Sequence, residues 1–309
     1  MKSLHISVLL EEVIQALNIK KAGIYIDCTF GRGGHSKEIL THLGPEGKLF
    51  AIDKDPEALQ FAKDGLVEDQ RFSITQCSFD HLAVQAQSWG IAGQVDGILF
   101  DLGVSSPQLD NAERGFSFRH EGPLDMRMNP SHGISASQWI AKVREQDLVK
   151  VIKEYGEERY AKRIARAIVQ SRNVAPIMST SQLAKIVSDA HPAWEKGKHP
   201  ATRTFQAIRI YINQELETLK QVLPQAVNVL AADGRLVAIS FHSLEDQVVK
   251  RFIQEQAKGD QYLPDMPIPS SMLQPVLRKL GKMVAPVEQE KNQNVRSRSA
   301  RMRVAEKIG

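Results

Sequence analysis

Tyr25-Ile-Asp-Cys-Thr-Phe-Gly31-Arg-Gly33-Gly34-His35 is the stretch on which the fold turns. An apolar run leads straight into glycines, and a helical pattern follows from Ser36 to Leu43. This is the strand-loop-helix opening of a nucleotide-binding βαβ unit, where glycine lets the backbone approach a ligand closely. The plainer use of the same glycines is an ordinary strand-to-helix turn. The ligand reading gains weight from Asp53, which closes the next apolar run 22 positions after Gly31. A carboxylate there can accept hydrogen bonds from both ribose hydroxyls, which points to an adenosine-containing cofactor.

Working outward, four β-rich apolar runs are expected as strands: Ile24 to Phe30, Lys48 to Asp53, Phe72 to Cys77 and Val95 to Asp101. Each is nearly continuous in apolar residues, as strands buried on both faces are, and helical patterns fill the gaps. Asp55-Pro56 supplies an N-cap and a first-turn proline. After Asp110 the alternation stops. A loop from Arg114 to His132 leads into helical periodicity over Val149 to Gln170, Ser181 to Ala190 and Thr202 to Leu219, with breaks at His191-Pro192 and His199-Pro200. Strand pattern resumes over Arg235 to His242, a helix over Leu244 to Gln256 follows, and Ser299 to Ala305 reads as a closing strand. Gly259 to Pro275, with prolines at 264, 267, 269 and 275, reads as an irregular connection. The expected fold class is therefore α/β, a Rossmann-like sheet over residues 1–112 and 216–309 with an all-helical domain inserted at 113–215.

The cofactor class narrows further. A dinucleotide fingerprint needs glycine at 36, where the chain has Ser36, and no Gly-Lys-Ser/Thr P-loop occurs. A sulfonium methyl donor needs no pyrophosphate cradle and fits. Cys77-Ser78-Phe79-Asp80 ends the third strand, and Phe79 is placed either to cover an adenine ring or in the core. The fourth strand runs into Asp101-Leu-Gly103-Val-Ser105-Ser106-Pro107-Gln108. Carboxyl ends of parallel strands are where ligands sit. Methyl transfer is chiefly positioning of an in-line nucleophile. A base's exocyclic amine is a poor nucleophile because its lone pair is conjugated with the ring, and acceptors on its hydrogens localise that pair. Asp101, Ser105 and Ser106 are the candidate acceptors; a cap for Asp101 and local turn bonding for the serines are the structural alternatives. Carbon methylation of a pyrimidine generally needs a cysteine nucleophile, and neither Cys28 nor Cys77 has the context of one. Ser243 with Asp246 reads as a capping box, and His242 stays an unassigned pocket candidate.

Seven stretches read together resemble the bacterial ribosomal small-subunit methyltransferase H family, the MraW methylases. They are His5-Ile-Ser-Val-Leu-Leu-Glu-Glu-Val13, Gly31-Arg-Gly-Gly-His35, Ala51-Ile-Asp-Lys-Asp-Pro56, Asp101-Leu-Gly-Val-Ser-Ser-Pro-Gln-Leu109, Gly115-Phe-Ser-Phe118, Arg203-Thr-Phe-Gln-Ala-Ile-Arg209 and Ser240-Phe-His-Ser-Leu-Glu-Asp246. The resemblance runs nearly end to end. It implies N4-methylation of a cytidine in the decoding region of small-subunit ribosomal RNA, with S-adenosylmethionine as donor. It also implies cofactor contacts at Gly33, Gly34, His35, Asp53, Phe79, Asp101 and Gln108, and RNA recognition by the inserted helical domain. Two departures from wider amino-methyltransferase patterns stand out. Asp101 is followed by Leu-Gly-Val-Ser-Ser-Pro rather than Pro-Pro-aromatic, and Thr29 occupies the place of a first loop glycine, as in this family.

The totals agree. The 309 residues carry a formal charge of +4, 42% hydrophobic and 25% charged residues, which is ordinary for a soluble globular protein. No apolar run approaches the ~20 residues of a membrane span, and the N-terminus lacks a secretory pattern, so a cytoplasmic location without membrane partners is expected. Two cysteines without a Cys-x-x-Cys pair support neither disulfides nor a thiolate metal site, and no metal is expected. Two acid-free basic runs suit phosphates: Lys196, Lys198, Arg203 and Arg209, and Lys291 through Arg303. Lys198, Arg203 and Arg209 are the candidate RNA contacts. The expected partner is small-subunit ribosomal RNA, free or assembled, with monomer and homodimer both open. The rival functions are an NAD-dependent oxidoreductase, against which Ser36 argues, and a non-catalytic ribosome-associated RNA-binding factor, which leaves Asp53 and Asp101 without a purpose.

Overall fold

The computed structural model describes residues 7–193, 197, 199–259 and 274–309 and divides into two compact units. Unit one joins 1–103 to 216–309, and unit two is Val104–Glu215. The elements of the first are α1 Leu10–Leu17, β1 Ile24–Asp27, α2 Gly34–His42, β2 Lys48–Asp53, α3 Pro56–Lys63, β3 Phe72–Gln76, α4 Leu82–Ser88 and β4 Val95–Asp101. The chain then passes through α5 Ser106–Asp110, α6 Ala136–Lys142, α7 Glu145–Gly156, α8 Ala161–Val174, α9 Thr180–Ala190 and α10 Thr202–Asn213. It returns with α11 Glu215–Val229, β5 Leu230–Ser240, α12 Ser243–Lys258, β6 Leu277–Val284, α13 Glu288–Gln293 and β7 Arg301–Lys307. The residues 260–273, most of the expected irregular connection, lie outside the described set. Among the described residues no helix is long and apolar enough to cross a membrane.

The seven strands form one sheet in the order β3-β2-β1-β4-β5-β7-β6. β1 to β5 are parallel and β7 runs antiparallel between β5 and β6. Side chains alternate across a strand, so each strand feeds two cores. Ile26, Ile98 and Phe100 join α4, α11 and α12 on one face, while Tyr25, Leu49, Leu99 and Val237 join α1, α2 and α3 on the other. Because both faces are covered, the middles of β1, β2 and β4 are apolar, and the expected bounds of β2 and β4 hold to the residue. The order reverses between β1 and β4, which opens a crevice at their carboxyl ends.

Several expectations change at the level of elements. The long helix expected over Val149 to Gln170 is two, because Glu157 turns left-handed (φ 49°) and a Cβ on Gly156 would lie 2.6 Å from the Arg203 carbonyl oxygen. The helix expected over Thr202 to Leu219 breaks likewise at Gln214 (φ 53°). The capping box at α12 is formed by His242 and Glu245, one residue earlier than Ser243 and Asp246. His242, unassigned from sequence, is the cap residue of this helix. Asp246 is instead gripped by Arg303 at 2.7 and 3.0 Å and by Arg301 at 3.2 Å. β6 and α1 carry no expectation from sequence.

The helical unit has its own core, with Trp139, Ile152, Ile164, Ile168, Leu183 and Ile208 among its buried members. Its entry loop is pinned by Asn213. The carboxamide Oδ1 accepts from Met128 N at 2.7 Å, and Nδ2 donates to the Met126 and Arg209 carbonyls at 2.7 and 2.9 Å. Met126 is left-handed (φ 64°), a conformation that needs such support. Asn213→Ala orphans a buried N–H and a buried carbonyl and is expected to cost about 2–4 kcal/mol. Denaturation followed by Trp139 fluorescence measures it, and a loss below about 0.5 kcal/mol would show that the loop holds itself.

Candidate functional site

The site residues of the sheet unit come together because the four consecutive residues after β1 bond to the ends of β2 and β4. The ladder continues past β1 as Cys28 N–H donates to the Leu99 carbonyl and Phe30 N–H to the Ile52 carbonyl, at 2.9 and 3.2 Å. Between them the Thr29 hydroxyl accepts the Asp101 N–H at 2.6 Å. One residue beyond, Gly31 N–H donates to Asp53 Oδ2 at 2.8 Å. Thr29, in the place of a first loop glycine, is thus the bond that fixes the Asp101 backbone. Gly31, Asp53 and Asp101 lie on the same rim of the sheet, since β1, β2 and β4 are parallel and end there.

The loop then turns into α2. Gly31 (φ 55°) and Gly33 (φ 68°) both occupy the left-handed region. A Cβ on Gly33 would lie 2.5 Å from the Phe30 ring, and one on Gly34 would lie 2.0 Å from Ser7 Oγ. Gly33 is therefore required by the protein's own backbone and packing, while Gly34 leaves the space that the Ser7 hydroxyl fills. No side chain caps α2, so its first-turn N–H groups and the positive end of its dipole are left for an anionic group. Ser36, which stands where a dinucleotide fold needs glycine, is buried and donates its hydroxyl to Asp27 Oδ2 at 2.7 Å.

Asp53 accepts one backbone N–H on each oxygen, from Gly31 and from Asp55 at 2.8 Å. Each oxygen retains acceptor capacity for a further donor. Burial pushes its carboxyl up to about 6, although the two N–H groups pull the other way. His35 is buried beside Asp101, its Nε2 3.6 Å from Oδ2, an ion-pair approach rather than a hydrogen bond. Neither ring nitrogen of His35 nor Asp101 Oδ1 has a hydrogen-bond partner. Burial alone would keep the ring neutral, but Asp101, Asp27 and Glu290 outweigh it and raise its pKa. Phe79 opens a short 3₁₀ turn after β3 and meets Phe100 edge-on at 5.9 Å, so it is anchored in the core with one side still half-exposed. Burial raises Cys77 to about 11 and Cys28 well above the usual thiol range, so both stay protonated and neither is a nucleophile.

This arrangement can hold a nucleoside by its ribose and present a carboxylate to a reacting amine. The model of the MraW methylase family matches residues 2–308 of the chain. The chain belongs to the MraW methylase family. Methyltransferase activity comes with that membership. Similar proteins named ribosomal RNA small subunit methyltransferase H come from Alteromonas mediterranea, 56% identical over 98% of this chain and 97% of that one, and Pseudoalteromonas atlantica, 54% identical over 98% of each. A third, from Hydrogenovibrio crunogenus, is 53% identical over 99% of this chain and 98% of that one. In this MraW family member the other candidates lie in the helical unit. Ser105 caps α5 in a reciprocal box in which its N–H donates to Gln108 Oε1 at 2.9 Å, and Ser106 is the first residue of that helix. Gln108 is buried. Arg209 holds Glu215 through two bonds of 2.9 Å, both partners buried or nearly so. Arg203 donates to the Glu157 carbonyl at 3.3 Å, and Lys198 lies outside the described residues. The sequence singles out Thr29 and His35, but not the bond of one to Asp101 or the acids beside the other, for which residue type offers no signal.

The raised Asp53 fixes a sign. The folded state prefers the protonated acid, so the contribution of this group to stability is greatest below pH 4 and is lost as pH rises through about 6. The loss is about 3 kcal/mol at most. Denaturation of wild type and Asp53→Asn across this window should show the fall only in wild type, and parallel curves would count against a strained carboxyl.

Proposed function

We propose that this MraW family member transfers a methyl group from S-adenosylmethionine to the exocyclic N4 of a cytidine in the decoding region of small-subunit ribosomal RNA, in the cytoplasm. The observation that carries the reading is the pair of hydrogen bonds by which Thr29 and Gly31 hold the Asp101 and Asp53 ends of two parallel strands on one rim. The names of the three relatives supply the RNA class. The donor brings an activated sulfonium methyl group. Asp53 accepts the ribose hydroxyls on its free lone pairs. The uncapped N–H groups of Gly34 and His35 receive the donor's carboxylate, and Phe79 covers its adenine.

Asp101 acts on the acceptor. Its Oδ1, buried and unpartnered, takes a hydrogen of the cytosine amine, which turns the nitrogen lone pair out of conjugation and toward the methyl group. The His35 ring behind it, 3.6 Å from Oδ2, limits how the carboxylate can turn. Nitrogen is preferred to carbon because both thiols stay protonated. Ser105, Ser106 and Gln108 stand as the contribution of the α5 turn, and Arg203 as a phosphate contact of the helical unit.

Mass mapping of ribosomal RNA from cells lacking the protein should show one cytidine of the decoding region short of its N4-methyl group. A fully methylated map would overturn the assignment. In vitro, Asp101→Asn should lower methyl transfer by about 10²–10⁴-fold while RNA binding persists. Equal incorporation would remove Asp101 from the chemistry. Affinity for the donor, measured by calorimetry, should fall as pH drops through about 6, where Asp53 gains a proton and loses acceptor capacity. A flat profile would exclude Asp53 from the ribose site.

A further inference from the structure

The helical unit carries a feature that neither basic run of the sequence captured. α8, Ala161–Val174, contains no acidic residue, and its outward face presents Lys162, Arg163, Arg166, Gln170 and Asn173, all exposed. Arg163, Arg166, Gln170 and Asn173 fall at i, i+3, i+7 and i+10, a single stripe down a helix about 21 Å long. Arg159, exposed in the turn before it, lies over the Tyr160 ring at 5.6 Å. Among the described residues Lys162 and Arg163 meet no carboxylate. Arg166 has only Glu145 at 3.9 Å, with 71% of its side chain exposed.

Such a face is electrostatically costly to the protein alone. Lys162 and Arg166 are like charges at i, i+4, and Lys162 and Arg163 sit in the first turn, at the positive end of the helix dipole, which holds no acid of its own; Glu158, before the helix, spends its carboxylate on the Tyr160 N–H at 2.8 Å and on His191 at 3.5 Å. Neighbouring helices do otherwise: α9 pairs Lys185 with Asp189 at 2.8 Å. The inner face of α8 is spent on the core through Ile164, Ala165 and Ile168, and Arg172 donates to the Ile140 carbonyl, so the exposed stripe is free of structural duty.

We infer that the exposed face of α8 is the track on which the helical unit binds an RNA strand, with Arg159, Lys162, Arg163 and Arg166 on phosphates and Gln170 and Asn173 reaching base edges. The inference rests on the reading that the substrate is RNA. A polyanion relieves the uncompensated repulsion, and the two amides offer donors and acceptors that an exposed base can use. Cations therefore set affinity and the amides add discrimination.

The test is binding of a labelled fragment of small-subunit ribosomal RNA, followed by fluorescence anisotropy over a salt series, to wild type, R163E/R166E and Q170A/N173A. Wild type should bind with a steep salt dependence. R163E/R166E should lose at least about tenfold in affinity near 100 mM salt, and its slope of log affinity against log salt should be shallower by about 1–2. S-adenosylmethionine affinity should not move and melting temperature should not fall, because both side chains are exposed and Arg166 meets only Glu145 across 3.9 Å. Q170A/N173A should keep the slope and discriminate less between sequences. If wild type binds and R163E/R166E matches it in affinity and slope, α8 presents only a solvated face and the inference is overturned, while the RNA substrate stands. If wild type neither binds nor methylates the RNA, the substrate reading falls and takes this one with it.

Discussion

The architecture of the site depends on one short crossing of backbone and side chain, in which the Thr29 hydroxyl accepts from Asp101 and the Gly31 N–H donates to Asp53. Strands β2 and β4 never touch, because β1 lies between them. Their terminal acids are nevertheless fixed relative to each other, since both are tied to residues two apart on the same loop. The constraint explains the local sequence. Position 29 needs a hydroxyl, position 31 needs a left-handed backbone with a free N–H, and Gly33 and Gly34 must leave room for Phe30 and Ser7.

Charge at this rim is arranged against the preference of the fold. Asp27, Asp53 and Asp101 are carboxylates on adjacent strand ends, and burial raises Asp27 and Asp53 toward their neutral forms. His35 is the counterweight, a buried imidazole whose pKa is held down by burial but raised on balance by Asp101, Asp27 and Glu290. Three acids gathered on one largely buried rim are costly to a folded chain without a ligand. That they are assembled here anyway marks the rim as a place where stability has been yielded for chemistry.

The parallel half of the sheet was legible because double burial writes it as unbroken apolar runs, and Asp53 and Asp101 were legible because they end such runs. β6 was not, since an edge strand reading Leu277-Arg-Lys-Leu-Gly-Lys-Met-Val284 is mostly exposed and carries lysines that discourage further pairing. The breaks at Glu157 and Gln214 escaped for a different reason. Each is a left-handed turn made by a residue other than glycine, imposed by packing that local propensity does not contain. The partners of Thr29 and His35 likewise come from strands far along the chain, so spacing could locate those residues but not say what they touch.

The sheet is interrupted in sequence where it is continuous in space: β4 ends at Asp101, and its neighbour β5 begins only at Leu230. During synthesis at about 5–20 residues per second, the free edge of β4 waits on the order of ten seconds for the strand that covers it. That edge is Val95-Asp-Gly-Ile-Leu-Phe-Asp101, an apolar template open to wrong pairing until then. The intervening helices, with a core of their own, can collapse during the delay and deliver β5 as a finished unit, so the order of birth along the chain becomes part of how this topology is reached.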